Sequence, residues 1–187
     1  MPFVSSRSIR LYAEETGTGH PIVFVHEFAS DHSEWETQVR YFSRSHRCIT
    51  YNARGYPPSD IPDNASEYSH ERQRDYLGAV LAAFGIGRTH TVGLSMGAYT
   101  GLMYALCSPD NVASLVFASG GSGTEKTTRP RFQTETVEAA ALPSMAWPSA
   151  PKALLWAPTE FRFVTRIPAG VRSSSATSAS TRRSDRR

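Results

Sequence analysis

The stretch His90-Thr91-Val92-Gly93-Leu94-Ser95-Met96-Gly97, followed by Ala98–Cys107 (AYTGLMYALC), decides how the chain is read. His90–Leu94 (HTVGL) has the length and apolar character of a strand. Ala98–Cys107 is small and apolar and reads as a buried helix, stopped by Ser108-Pro109. Between them, Gly93-Leu94-Ser95-Met96-Gly97 must turn sharply from strand to helix. Such a turn forces its middle residue into strained backbone geometry. The residues two before and two after it then crowd neighbouring backbone, so both must be glycine. Ser95 would project beyond the sheet at a helix N-terminus, where free N–H groups and the helix dipole favour negative charge. The competing reading is a glycine-rich loop with an incidental serine, and the flanking strand and helix weigh against it.

Outward from this turn, strand and helix signals alternate. Ser8–Glu14 (SIRLYAE) alternates apolar and polar residues, like a half-buried strand, and Pro21–His26 (PIVFVH) is a continuous apolar run, like a strand covered on both faces. Glu34–Ser43 places Trp35, Val39 and Phe42 at helical spacing, with Ser33 and Glu36 spaced as a capping box. Arg47–Tyr51 reads as a strand, and Asn52–Asn64, rich in Pro, Gly, Asp and Asn, as a loop. Ser69 caps a helix from His70 to Phe84, with Tyr76, Leu77, Val80, Leu81 and Phe84 in one stripe and Gly85 and Gly87 ending it. Val112–Ser119 is a further strand. This rhythm predicts βαβ units and an α/β fold with a mainly parallel sheet flanked by helices, ending after about six strands.

The 187 residues, 40% hydrophobic, suffice for about one domain with a real core. No apolar run reaches the ~18 residues that a membrane-spanning helix needs, and Met1–Arg10 has no signal-like apolar segment. Cys48 and Cys107 form no cluster, so neither a disulfide scaffold nor a zinc site is expected, and a reducing, cytoplasmic setting fits. The net charge of +3 conceals an asymmetry: residues 1–125 carry 9 Arg and no Lys against 13 Asp and Glu, whereas residues 126–187 carry 11 Lys and Arg against 4. From about Ala141 the composition shifts to Pro, Ala, Ser and Arg, and 173–187 holds only Ser, Ala, Thr, Arg and one Asp. The expected divisions are therefore a core over 1–125, an irregular remnant over 126–172, and a disordered low-complexity tail over 173–187. No aromatic residue follows Phe163, so the basic tail does not suggest a nucleic-acid partner.

Two other motifs follow strands. His26-Glu27-Phe28-Ala29 comes after Pro21–Val25, and its Phe28 N–H is placed to help hold an oxyanion; His26 either supports the site or ties down the loop. Asn52-Ala53-Arg54-Gly55-Tyr56-Pro57-Pro58-Ser59-Asp60 follows Arg47–Tyr51, and Arg54 with Asp60 is expected to stiffen that loop. Together with the Gly93–Gly97 turn, these ordered motifs over residues 9–119 resemble the first half of the α/β-hydrolase superfamily, with its nucleophile elbow.

The resemblance implies that Ser95 attacks a carbonyl carbon, that the Phe28 and Met96 N–H groups hold the oxyanion, and that Gly93 and Gly97 shape the elbow. It implies a small-molecule substrate with a carbonyl centre (an ester, thioester, lactone or C–C bond next to a ketone) and no metal or organic cofactor. A serine at the elbow argues against epoxide-hydrolase chemistry, since in those relatives an aspartate attacks. There are three departures. Glu27 stands where many members have glycine. All six histidines (His20, His26, His32, His46, His70 and His90) precede Ser95, whereas the family base follows it. Among the acids, Asp110 falls at the wrong end of a strand and Glu125 is the least implausible orienter. The residues beyond about Ala140 are expected to be either a GC-rich coding sequence read out of frame or a natural short form with a disordered tail, and 126–172 either a remnant of the family's cap region or irregular; on both readings the family's second half is expected to be missing. The chain is accordingly expected to be inactive or impaired, and the alternative is a non-catalytic, ligand-binding relative. A sheet lacking its last strands is also expected to expose an unpaired edge and to be poorly stable.

Overall fold

The computed structural model describes residues 3–28, 30–63 and 68–120, together with residue 127. The expectations for Glu125, for 126–172 and for 173–187 lie outside the described residues, apart from that one position. The elements are β1 (Phe3–Ser6), β2 (Ile9–Thr16), β3 (His20–Val25), α1 (Glu36–Phe42), β4 (His46–Tyr51), α2 (His70–Ala83), β5 (Thr89–Leu94), α3 (Met96–Cys107) and β6 (Val112–Ala118). Short 3₁₀ turns, His32–Trp35 and Pro109–Asn111, precede α1 and β6.

The strands form one six-stranded sheet in the order β1-β2-β4-β3-β5-β6. β1 and β2 pair antiparallel, as do β2 and β4, whereas β4, β3, β5 and β6 run parallel. The expected mainly parallel α/β sheet is therefore present. β1, too short to stand out in the sequence, is an addition to that reading: Arg7, at φ +56, turns it back onto β2.

Each face of the sheet has its own core. Val23, Val25, Ile49 and Tyr51 point to one side, where they meet Tyr76, Leu77, Val80 and Leu81 of α2 and Tyr104 and Ala105 of α3. Ile22, Phe24 and Cys48 point to the other side and pack against Trp35, with Val39 of α1 alongside. These alternating positions explain why β3 reads as a continuous apolar run: both of its faces are covered.

Two helix starts differ in outcome. Ser69 caps α2 as expected, accepting a bond from the Arg72 amide. The Ser33–Glu36 capping box is not formed. Asp31, in extended backbone, accepts from the Ser33 amide at 2.7 Å, and Ser33 already lies inside the 3₁₀ turn. Glu36 instead begins α1 and pairs with Arg40 one turn later.

Strand order positions the site. From β3 the chain moves to β4 on one side, and β5 lies on the other. The loops after β3, β4 and β5 therefore leave the same edge around a point where the chain direction across the sheet reverses. In open α/β sheets this is where ligands bind.

Candidate functional site

The turn after β5 has the predicted geometry. Ser95 has φ +50 and ψ −111 and directly precedes α3. Its own N–H donates to the Ala118 carbonyl at 2.9 Å, which ties the turn to the end of β6. The next amide, that of Met96, belongs to the first turn of α3, where N–H groups have no intrahelical acceptor. A Cβ added at Gly93 would lie 2.3 Å from the Gly97 carbonyl oxygen, and one at Gly97 would lie 2.1 Å from the Val25 carbonyl oxygen and 2.7 Å from that of His26. Gly97 lets the start of α3 rest directly on the end of β3, and Gly93 lets it fold back against the end of β5.

The loop after β3 is fixed from several directions. His26 is completely buried. Its Nε2 accepts from the Ala53 amide at 2.9 Å, which leaves the proton on Nδ1, 2.7 Å from the Glu27 carbonyl oxygen that accepts it. Both ring nitrogens are thus committed to holding backbone. The Glu27 N–H donates to a Glu34 carboxylate oxygen at 3.1 Å. The Phe28 side chain is exposed, but its carbonyl accepts a 2.7 Å bond from the Tyr56 hydroxyl. That hydroxyl is also 3.8 Å from the Met96 Sδ, and the Tyr56 ring stands edge-on to His26 at 4.6 Å.

The loop after β4 is equally constrained. Asn52 Oδ1 accepts from the His32 amide at 2.8 Å and lies 2.7 Å from the His32 Nδ1. Ser59 Oγ donates to the Asn52 carbonyl at 2.7 Å and accepts from the Tyr12 amide at 2.8 Å. The expected stiffening by Arg54 and Asp60 occurs, but not as a pair. Asp60 takes the Arg10 amide at 2.8 Å and the Arg10 guanidinium at 3.1 Å. Arg54 is buried, with its guanidinium 4.5 Å from the Tyr76 ring centre and 5.1 Å from that of Tyr68, and it donates to the Tyr76 hydroxyl. Arg54 points into the core beneath the loop while Asp60 faces β2, so the two never meet.

Burial sets the protonation states here. It lowers His26 to about 4, so the ring is neutral across the physiological range. Burial also raises the Glu27 carboxyl. Glu34 is pushed up to about 7, mainly by burial and further by the neighbouring Glu27 and Asp31 carboxylates; bonds from Ser30 and from the Glu27 amide oppose the shift. Tyr56 is raised by burial and by the Glu27 and Glu34 charges, so its hydroxyl keeps its proton and remains a donor.

The structure thus brings Ser95, Met96, His26, Glu27 and Phe28 to one edge of the sheet. It does not direct His26 to Ser95 as a base, because both imidazole nitrogens are engaged elsewhere. Asp110 lies in the turn between α3 and β6, at the opposite edge. Sequence reasoning missed Tyr56 and Glu34. Tyr56 sits in the middle of a loop already singled out, and its aromatic ring among Pro and Gly was the available signal. Glu34 gave none, since its surroundings depend on how residues 26–36 curl back. Among the described residues no group of three or more His, Cys, Asp or Glu side chains could hold a metal ion, and no helix is long and apolar enough to cross a membrane.

The chain is similar to a 2-hydroxy-6-oxononadienedioate/2-hydroxy-6-oxononatrienedioate hydrolase of Burkholderia vietnamiensis, 32% identical over 120 residues that cover 62% of this chain and 41% of that protein. It is similar to 3-oxoadipate enol-lactonase 1 of Acinetobacter baylyi, 30% identical over 101 residues that cover 54% of this chain and 37% of the relative. Among solved structures, an epoxide hydrolase mutant from Vigna radiata superposes with a TM-score of 0.59 at 26% identity, covering 61% of this chain and 36% of that one. The chain therefore spans about 40% of the length of these curated relatives. A family model described as alpha/beta hydrolase fold matches residues 20–181, most of the sequence. With the parallel sheet, the strand-to-helix turn at Ser95 and this match in agreement, the chain belongs to the alpha/beta hydrolase family.

Proposed function

We propose that Ser95 is the nucleophile of a serine hydrolase acting on a small carbonyl substrate: an ester, a thioester, a lactone or a C–C bond next to a ketone. The observation that carries this reading is the backbone of Ser95 itself. A non-glycine residue at φ +50 is costly and persists where the surroundings over-determine it. Here the strain lifts a hydroxyl to the N-terminus of α3. In the proposed reaction the Ser95 Oγ bonds to the carbonyl carbon as its proton passes to a base. The carbonyl oxygen gains negative charge, which the Phe28 and Met96 N–H groups receive. Collapse of the tetrahedral intermediate expels the leaving group and leaves an acyl-serine, which water then hydrolyses. Removing one such donor typically costs ~10²–10³ in rate. Among the relatives, the Burkholderia hydrolase and the Acinetobacter lactonase favour carbonyl chemistry, and a serine at the elbow disfavours the aspartate-based opening of an epoxide.

The engagement of His26 favours a second reading. Of the groups brought to the sheet edge beside Ser95, its imidazole is spent on backbone at both ring nitrogens. A serine without a base is a poor nucleophile at neutral pH. The alternative is a fold that binds a carbonyl ligand without turning it over. Reaction with a fluorophosphonate probe separates the two. Labelling of the wild-type chain that disappears in Ser95→Ala supports the hydrolase; no labelling of a folded chain favours the binder.

A further inference from the structure

We propose that Tyr56 is a positioning residue: its hydroxyl, bonded to the Phe28 carbonyl, holds residue 28 at a fixed distance from the start of α3 and so, through the one Cα between that carbonyl and the Phe28 N–H, sets the gap between the two N–H groups that receive the oxyanion. This inference rests on the reading of Ser95 as a nucleophile. Three observations lead to it. First, among the described residues of the loop after β3, Phe28 gives the tip no apolar anchor, because its side chain is exposed. The base of that loop is pinned through His26 to Ala53 and through the Glu27 N–H to Glu34. Toward the tip, the Tyr56 hydroxyl donates a 2.7 Å bond to the Phe28 carbonyl.

Second, the mount of Tyr56 is rigid. Its N–H donates to the Ala53 carbonyl at 3.1 Å, its carbonyl accepts the Ser59 amide at 3.0 Å, and the Gly55 amide donates to the Asp60 carbonyl at 3.1 Å. The backbone that carries the ring is therefore fixed to the same Ala53 that His26 holds. Third, the hydroxyl lies against the other half of the proposed oxyanion site, 3.8 Å from the Met96 Sδ. It has one proton, and the shorter, stronger bond to oxygen takes it; the sulfur contact is packing that keeps Met96 and Phe28 at a common distance. An oxyanion donor that drifts by 1 Å forfeits much of its effect. A single phenol that touches both donor residues is therefore suited to control rate without touching the substrate.

Tyr56→Phe tests the proposal. It removes one oxygen and retains the ring that packs on His26. Two measurements are made on the full-length chain: the second-order rate of fluorophosphonate labelling at Ser95, and amide hydrogen exchange in peptides covering residues 26–28 and 52–55. The expected result is labelling about tenfold slower, exchange at 26–28 about tenfold faster, exchange at 52–55 unchanged, and a melting temperature within a few degrees of the wild type. Unchanged exchange at 26–28 overturns the proposal, whatever happens to labelling. Faster exchange with unchanged labelling also overturns it, since the tyrosine would then hold the loop without serving the site. If the wild-type chain is not labelled at all, the nucleophile reading fails, and with it the catalytic half of this proposal; the exchange data still decide whether Tyr56 holds the loop.

Discussion

Replacing Gly97 by alanine adds one methyl group at the tightest of the described glycines. Its Cβ would lie 2.1 Å from the Val25 carbonyl oxygen, 2.6 Å from the Val25 carbonyl carbon and 2.7 Å from the His26 carbonyl oxygen. All three are backbone atoms at the end of a central strand, so no side chain can rotate away. To restore ordinary contact the first turn of α3 must retreat by more than ~1 Å, and the rest of the helix must follow or bend. Overpacking a core typically costs about 1–3 kcal/mol; with rigid strand backbone as the obstacle we expect about 3 kcal/mol, or roughly 10 °C in melting temperature. Two other glycines calibrate the result. A Cβ at Gly101 would lie 3.0 Å from the Leu115 Cδ1 and from the Thr91 Cγ2, which are side-chain ends that can yield, so Gly101→Ala should cost about 1 kcal/mol. A Cβ at Gly87 would meet nothing within 4 Å, so Gly87→Ala should be neutral or stabilise by up to ~0.5 kcal/mol through the unfolded chain. Urea unfolding followed by far-UV circular dichroism ranks the three. If Gly97→Ala is no worse than Gly101→Ala, the close seating of α3 on β3 is wrong, and so is the elbow built on it.

Ser95→Gly should relieve the φ +50 backbone and unfold about 1 kcal/mol later than Ser95→Ala in the same urea titration, while both lose probe labelling. Asp31→Ala should destabilise by about 1 kcal/mol, whereas Ser33→Ala should have almost no effect, because Asp31 supplies the cap; thermal melting of the two variants distinguishes them. His26 drops from 6.5 to about 4 on folding, so the unfolded chain binds more protons between those values. Stability from this group is complete above pH 6.5 and falls as pH drops toward 4, and His26→Gln should abolish that slope in unfolding free energy against pH. Glu34 rises from 4.5 to about 7 on folding, so here the folded chain binds more protons. Its contribution is largest below pH 4.5 and falls as pH climbs toward 7, and Glu34→Gln should flatten the curve between pH 6.5 and 7, where His26 no longer compensates.

What was legible in the sequence is what local chemistry controls. The Gly93–Gly97 turn announced itself because the steric demand falls on residues within two positions of Ser95, and the structure shows the atoms that impose it: Gly97 and Ala98 backbone against Gly93, Val25 and His26 backbone against Gly97. The strands β3 and β5 and the helix α2 were visible for the same reason, since their apolar spacing and the Ser69 cap are properties of single segments. Long-range partners were not visible. Asp60 pairs with Arg10, fifty positions away, and not with its loop neighbour Arg54, because β2 lies beside β4 in the sheet. Nothing in residues 52–60 alone carries that information.

The same distinction explains why His26 was ambiguous and Tyr56 overlooked. A histidine after a strand reads equally well as a site group or as a loop tie. Only the approach of the Ala53 amide, brought in by parallel pairing of β3 with β4, commits its second nitrogen. Once that bond exists, the loops after β3 and β4 share an anchor, and the Tyr56 side chain, leaving the second loop near Ala53, overhangs the first while Arg54 turns into the core. Tyr56 is three residues beyond that anchor, on a turn closed by its own backbone. Its hydroxyl meets Phe28 and Met96 because His26 has already fixed where the two loops cross. The buried histidine thus bears on the Ser95 turn at one remove: with both ring nitrogens bonded to backbone, it ties together the two loops across which the Tyr56 ring reaches Phe28 and Met96.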